Sequence, residues 1–201
     1  MIPVPRTLQR LADEIDGWLD LRCPERAIDL LGPMLGDPEG RAAGLTMRVR
    51  AYVRQGRYAE ALVDLAELRQ SYAELEWIEL TEAWCRKRSD DLPGAVRCME
   101  RLLQRHPRSG IGHFNLGCYL ALVGDVARAV DEVTIACGID EEFRSLARDE
   151  PDLDALRTDG GFRQLLRART GGHNDEAEPL DDEGFDDDDD PDDGPAAPGN
   201  N

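Results

Sequence analysis

Apolar positions recur in this chain at an interval much longer than one helical turn. Ala27, Ala61, Ala95 and Ala129 stand 34 residues apart. An aliphatic residue follows each directly: Ile28, Leu62, Val96 and Val130. Another apolar residue lies four positions on (Leu31, Leu65, Met99, Val133) and a third lies seven on (Met34, Leu68, Leu102, Ala136). Steps of four and three share one face of a helix. Nine residues before each alanine stand Trp18, Tyr52, Arg86 and Leu120, three of them apolar. Five before stand Arg22, Gly56, Asp90 and Gly124, where an upstream helix should end. Asp91 and Asp125 are placed to cap the following helix with a side-chain oxygen, and Pro24 and Pro93 fall near helix starts, where proline is tolerated. The pattern predicts helix, tight turn, helix over 8–41, 42–75, 76–109 and 110–143.

One such pair cannot bury both of its apolar faces, whereas stacked pairs form a continuous core. The small alanine fits a close crossing of the two helices in each pair. Downstream, Phe143, Leu146 and Ala147 predict one more apolar helical face, and Leu153, Leu156, Phe162, Leu165 and Leu166 supply another set. Residues 144–170 therefore read as closing helices over the exposed end, and 1–7 as an N-terminal extension. The expected fold is all-α: a right-handed α-solenoid of four helix–turn–helix units, C-terminal capping helices and a disordered acidic tail.

The 34-residue unit resembles the tetratricopeptide repeat, whose signature runs Trp, Leu-Gly, Tyr, then Ala, Phe and Pro. The fourth unit carries it through Leu116, Gly117, Gly124, Asp125, Ala129 and Ala136. The second matches at Tyr52, Gly56, Tyr58 and Ala61, the third at Ala83, Ala95 and Pro107, and the first at Trp18, Ala27 and Leu31. Two departures stand out: His113 replaces the first aromatic of the fourth unit, and Arg86 replaces the tyrosine of the third.

The resemblance implies a concave groove lined by the first helix of each unit. By the family's geometry Met47, Arg50, Val53 and Arg54 face it from the second unit, Trp77, Leu80, Thr81, Trp84, Lys87 and Arg88 from the third, and Ile111, Phe114, Asn115 and Cys118 from the fourth. Asp13, Asp16 and Asp20 make its N-terminal end acidic. Two tryptophans beside four cations suit a peptide or helix of another protein, an acidic one in particular, because aromatics supply rigid contact area and Arg pairs bidentately with carboxylates. Asn115 implies a hydrogen bond to a bound peptide backbone. No other unit repeats that asparagine, so the pattern that clamps a chaperone C-terminus is incomplete.

Charge adds a second feature. The chain has 201 residues, 42 of them acidic and 24 basic, for a net charge of −18. Thirteen acids and no Lys or Arg lie in 171–201, leaving 29 acids against 24 bases in the first 170 residues. That tail is rich in Asp, Gly and Pro and cannot bury enough apolar surface to order itself. A chain of its length reaches roughly 30 Å. It is therefore expected to contact its own groove as a weak competitor for a partner.

The remaining chemistry is sparse. Five cysteines, with no Cys-x-x-Cys pair, argue against a disulfide framework or zinc ribbon and point to the cytoplasm. The first residues lack a signal-peptide pattern, and the longest uncharged run, 109–124, is too short for a membrane span. Acidity disfavours direct nucleic-acid binding. The histidines His106, His113 and His173 form no metal or catalytic motif, and His113 and Cys118 point about 140° apart on one helix. No cofactor and no catalysis are expected. The reading is a non-catalytic protein-interaction scaffold; the alternatives are a self-association module and a small thiol-dependent enzyme.

Overall fold

The computed structural model describes residues 2–167, so the acidic tail expected at 171–201 lies outside the described residues. Eleven α-helices and two short 3-10 segments make up the described chain, with no strand among them. The first helices of successive pairs are α1 (Gln9–Asp20), α4 (Arg41–Arg54), α6 (Glu76–Arg88) and α8 (Gly110–Leu122). Each is followed by a second: α2 (Pro24–Leu30) with its continuation α3 (Gly32–Gly36), α5 (Tyr58–Tyr72), α7 (Leu92–Arg105) and α9 (Val126–Ile139). The second helices begin at Pro24, Tyr58, Leu92 and Val126, one every 34 residues. Each packs against its own first helix; those of the first three pairs also pack against the first helix of the next pair, and α9 against the segment that follows it. The chain is an α-solenoid with a tetratricopeptide-like helical repeat.

The turns show why the repeat holds its length. Arg22, Gly56, Asp90 and Gly124 all take a left-handed backbone, with φ of 54°, 68°, 59° and 86°. That conformation reverses the chain between the helices of each pair and costs an L-residue with a side chain, so glycine suits it. The next residues of the third and fourth pairs are N-caps. Asp91 accepts from the Gly94 amide at 2.9 Å and Asp125 from the Arg128 amide at 3.4 Å. Ala27, Ala61, Ala95 and Ala129 are all fully buried. At Gly117 a Cβ would stand 2.6 Å from a Val133 methyl and 3.2 Å from the Ala129 carbonyl, which measures how closely α8 and α9 cross.

The first pair departs from the others. Its second helix is broken between Leu30 and Gly32, because Pro33 has no amide hydrogen to donate inside a helix. Asp37 then closes the segment by accepting from the amides of Glu39 and Gly40, both at 2.8 Å.

Polar locks stand where the repeat signature calls for aromatics. Glu79 and Glu82 of α6 are 1% and 3% exposed. Glu82 holds Arg69 of α5 at 2.7 Å, Arg86 at 2.9 Å and Arg101 of α7 at 3.3 Å; Glu79 takes Arg101 at 2.7 Å. Arg86 also bonds the capping Asp91 at 2.6 Å, so it ties the turn to the buried acid. In the second pair Arg48 meets buried Asp64 at 2.7 Å. Such buried pairs cost desolvation and are tolerated only when fully partnered.

Beyond α9, α10 (Glu142–Asp149), the 3-10 segment Pro151–Leu156 and α11 (Gly160–Arg167) cover the last pair. Ala147, Leu153, Leu156 and Phe162 are fully buried there. Leu146 departs from its expected core face and is 49% exposed. No described helix is long and apolar enough to cross a membrane.

Candidate functional site

The residues expected to line the groove fall into three groups. The first surrounds α4. Met47 is only 6% exposed and serves the core, because neighbouring helices close over it. Arg50 is bonded to Asp16 of α1 and lies 4.0 Å from Asp20, so its charge is answered within the chain. Val53 is half-buried. Arg54 is exposed and makes no ion pair among the described residues. Its guanidinium is pulled below the ordinary value first by partial desolvation and then by Arg50, with Arg22 adding to the effect and Asp20 and Asp16 opposing it. An arginine held among arginines is a local excess of positive charge.

The second group lies on α6. Trp77, Leu80, Thr81 and Trp84 are all half-buried, so each shows part of its surface. Trp84 meets Tyr58 of α5 edge-on, with ring centroids 5.3 Å apart. Arg88 lies over both rings, 5.7 Å from the Trp84 centroid and 5.9 Å from that of Tyr58, and donates to the Tyr58 hydroxyl at 3.3 Å. Lys87 is hydrogen-bonded to Asp152, in the 3-10 segment 65 residues away.

The third group lies on α8, and the closing segment has changed its setting. Pro151–Leu156 packs on α8 and so occupies the groove position of the fourth pair. Cys118 is 3% exposed beneath it. Burial pushes its thiol well above the ordinary value; nearby Glu150 and Asp152 add to the shift, and Lys87 opposes it. Phe114 is 5% exposed and stacks on Phe143 at 5.3 Å. Asn115 is half-buried, and its side chain makes no hydrogen bond to the described residues.

A cleft of about 540 Å³ opens between α8 and α10. Ile111, Phe114 and Asn115 form one wall and Glu142, Leu146 and Asp149 the other, with Glu150 at the end. Sequence reasoning placed the α8 wall and missed the α10 wall. The signal was present, since Glu142, Leu146 and Asp149 share a helical face at steps of four and three.

Outside the groove, donor atoms of Glu79, Glu82 and Cys98 lie within 4.8 Å of one another, a spacing that suits a metal ion. Arg101 occupies that centre: it bonds Glu79 at 2.7 Å, Glu82 at 3.3 Å and the Cys98 sulfur at 3.2 Å. The guanidinium supplies the positive charge the acids need, so the donor set does not fit a metal. Burial, with Glu82 adding, pushes the Cys85 thiol up to about 12 and the Cys98 thiol up to about 11. Neither thiol is poised as a nucleophile.

No protein-family model matches the chain, and no curated protein sequence matches it. Solved structures do. The structure described as "MamA RS-1 ArsTM double mutant" aligns with a TM-score of 0.62 at 12% identity, covering 82% of this chain and 97% of that one. "MamA 41-end from Desulfovibrio magneticus RS-1" gives 0.63 at 12% identity over 82% and 96% of the two chains. "Crystal structure of MamA" gives 0.59 at 12% over 76% and 92%. At this identity the likeness is one of fold.

Proposed function

We propose that this helical-repeat chain is a non-catalytic scaffold that holds a peptide or helix of another protein on the groove side of α4 and α6. One observation carries the reading. Arg54 is exposed, unpaired among the described residues and crowded by like charge, and the repeat geometry sets the half-buried Trp77, Thr81 and Trp84 on the same side. An acidic segment with an apolar side chain answers both features. Arg takes a carboxylate bidentately, and a half-exposed tryptophan gains contact area on burial. Arg50 and Lys87 contribute less, because Asp16 and Asp152 already neutralise them. The site in this reading comprises Arg54, Trp77, Leu80, Thr81, Trp84 and Arg88.

The reading extends to membership of the tetratricopeptide family, to a cytoplasmic setting and to the chain's own acidic tail. Thirteen acids within 171–201 carry the charge that Arg54 lacks, so the tail competes weakly with a partner.

Affinity capture with the full chain and with the Arg54→Glu/Trp84→Ala variant tests the groove. A partner seated there is retained by the first and lost from the second; equal retention places it elsewhere. For the tail, removal of 171–201 should tighten partner binding, more so at low salt. An unchanged affinity across salt contradicts that part.

A further inference from the structure

The cleft between α8 and α10 differs in charge from the groove stretch on α4 and α6, and it takes a different ligand. Its apolar lining is open: Ile111 is 39% exposed and Leu146 is 49% exposed, with the Phe114–Phe143 stack beneath. Around that lining stand Glu142, Asp149 and Glu150. None of the three is ion-paired among the described residues. No base among the described residues lines the cleft. The bases of α10 are engaged elsewhere: Arg148 donates to the Leu166 carbonyl at 3.0 Å, and Arg144 lies 3.1 Å from Glu141.

Two of these acids also serve the fold: Glu142 stands in the first turn of α10, where the helix dipole favours acid, and the Glu150 carboxylate accepts from the Asp152 amide at 3.1 Å to cap the next segment. Asp149 has no such role: it stands at the C-terminal end of α10, where the helix dipole is already negative and where Arg157 donates to the Ala147 and Glu150 carbonyls at 3.1 and 3.2 Å rather than to the Asp149 carboxylate. Leu146 at half exposure gains nothing for the core. Asp149 at the unfavourable end of the helix, beside the half-exposed Leu146, is a local cost that a bound cation-bearing apolar segment would offset.

We propose that this cleft docks a basic amphipathic segment of another protein, with a Leu- or Phe-sized side chain seated between Ile111 and Leu146 and flanking Arg or Lys side chains on Glu142, Asp149 and Glu150. Asn115, whose amide makes no bond within the described chain, faces the same space and is free to take a backbone group of that segment. The chain's net charge of −18 steers such a segment toward it and works against a second copy of the same chain as the occupant. This site is independent of the acid-binding stretch around Arg54.

The test is fluorescence anisotropy of a labelled helix-forming peptide titrated into the full-length chain at physiological ionic strength. The peptide carries leucines one turn apart with Arg and Lys between them; a control replaces each base with Glu. The basic peptide binds saturably and the control does not. Affinity falls about tenfold or more in Glu142→Gln/Asp149→Asn/Glu150→Gln and again in Leu146→Ser, while Arg54→Glu leaves it intact. All four substituted positions of the cleft are at least partly exposed, and circular dichroism checks that the helices persist. Three results overturn the proposal. Undiminished binding by the cleft variants means that the tail or general acidity holds the peptide. Equal binding of the acidic control means that the carboxylates do not select. Concentration-dependent self-association that excludes the peptide means that a second copy covers the cleft. Loss of partner capture by the Arg54 variant with this peptide still bound would separate failure of one site from failure of the other.

Discussion

The Nδ1 atom of His113 lies 2.6 Å from a carboxylate oxygen of Glu132, joining α8 to α9 where the repeat signature calls for a buried aromatic. The other ring nitrogen faces the Pro107 carbonyl at 3.1 Å. The departure from the signature is thus a polar lock in place of an apolar one. His113→Phe should cost about 1–3 kcal/mol, because it strands a carboxylate that is largely withdrawn from water. His113→Phe/Glu132→Leu removes both partners and should recover most of that loss. Urea unfolding of the two variants checks this; a single variant as stable as the parent would contradict it.

The left-handed turns invite the opposite experiment. Arg22 and Asp90 bear side chains at φ of 54° and 59°, where Gly56 and Gly124 serve the other two pairs. Arg22→Gly should stabilise the chain by about 1 kcal/mol, the relief of strain exceeding the entropy that glycine adds to the unfolded chain. Asp90→Gly should gain less, since aspartate tolerates this region better. Gly124→Ala should lose about 1 kcal/mol even though nothing lies within 4 Å of the added Cβ, because the penalty is one of backbone alone. Thermal midpoints decide the signs.

Much of this was legible in the sequence, and what was not has a physical pattern. The period was visible because four small residues recur at close helix crossings, and a crossing tolerates little else. Caps at Asp91 and Asp125 were visible because the oxygen that makes a cap acts within three residues. The break at Leu30–Gly32 was carried by Pro33 but was masked by the stronger apolar stripe through Leu31 and Met34. Long-range partners were hidden. Nothing near Lys87 announces Asp152, and nothing near Asn115 announces α10, because the path of the chain after the fourth pair decides both. The residues inferred from repeat geometry lie on the first helices α4, α6 and α8, while their neighbours from the closing segment were not inferred.

Asp91 gives a pH dependence. Its hydrogen bond to Arg86 holds the carboxyl below the usual aspartate value, and the Gly94 amide adds to this against a desolvation cost. A lowered folded value stabilises the chain above the ordinary aspartate range near 4, and the gain is lost as the pH falls through the folded value. Asp91→Asn should therefore be the less stable form at neutral pH, and its stability should converge with that of the parent as acid is added. Parallel stability curves from urea titrations between about pH 3 and 7 would contradict the assignment.

The thiols supply a further check. Cys85, Cys98, Cys118 and Cys137 are buried, and burial raises the value of each thiol; Cys23 alone is half-buried. Native alkylation near neutral pH should modify Cys23 first and the other four only after unfolding. Because those four favour the protonated form in the folded chain, stability should fall as the pH rises past about 9. Rapid modification of two or more thiols in the folded chain would revive a thiol-based activity.

The proposal that partners meet this scaffold on its groove side can be tested by cross-linking. Single photo-reactive phenylalanine analogues placed at Thr81 on α6, or at Val63 on the outer helix α5 where exposure reaches 69%, test it in the full-length chain. Covalent adducts with another protein are expected from position 81 and none from position 63. Adducts from position 63 alone, or equal yields from both, would contradict it.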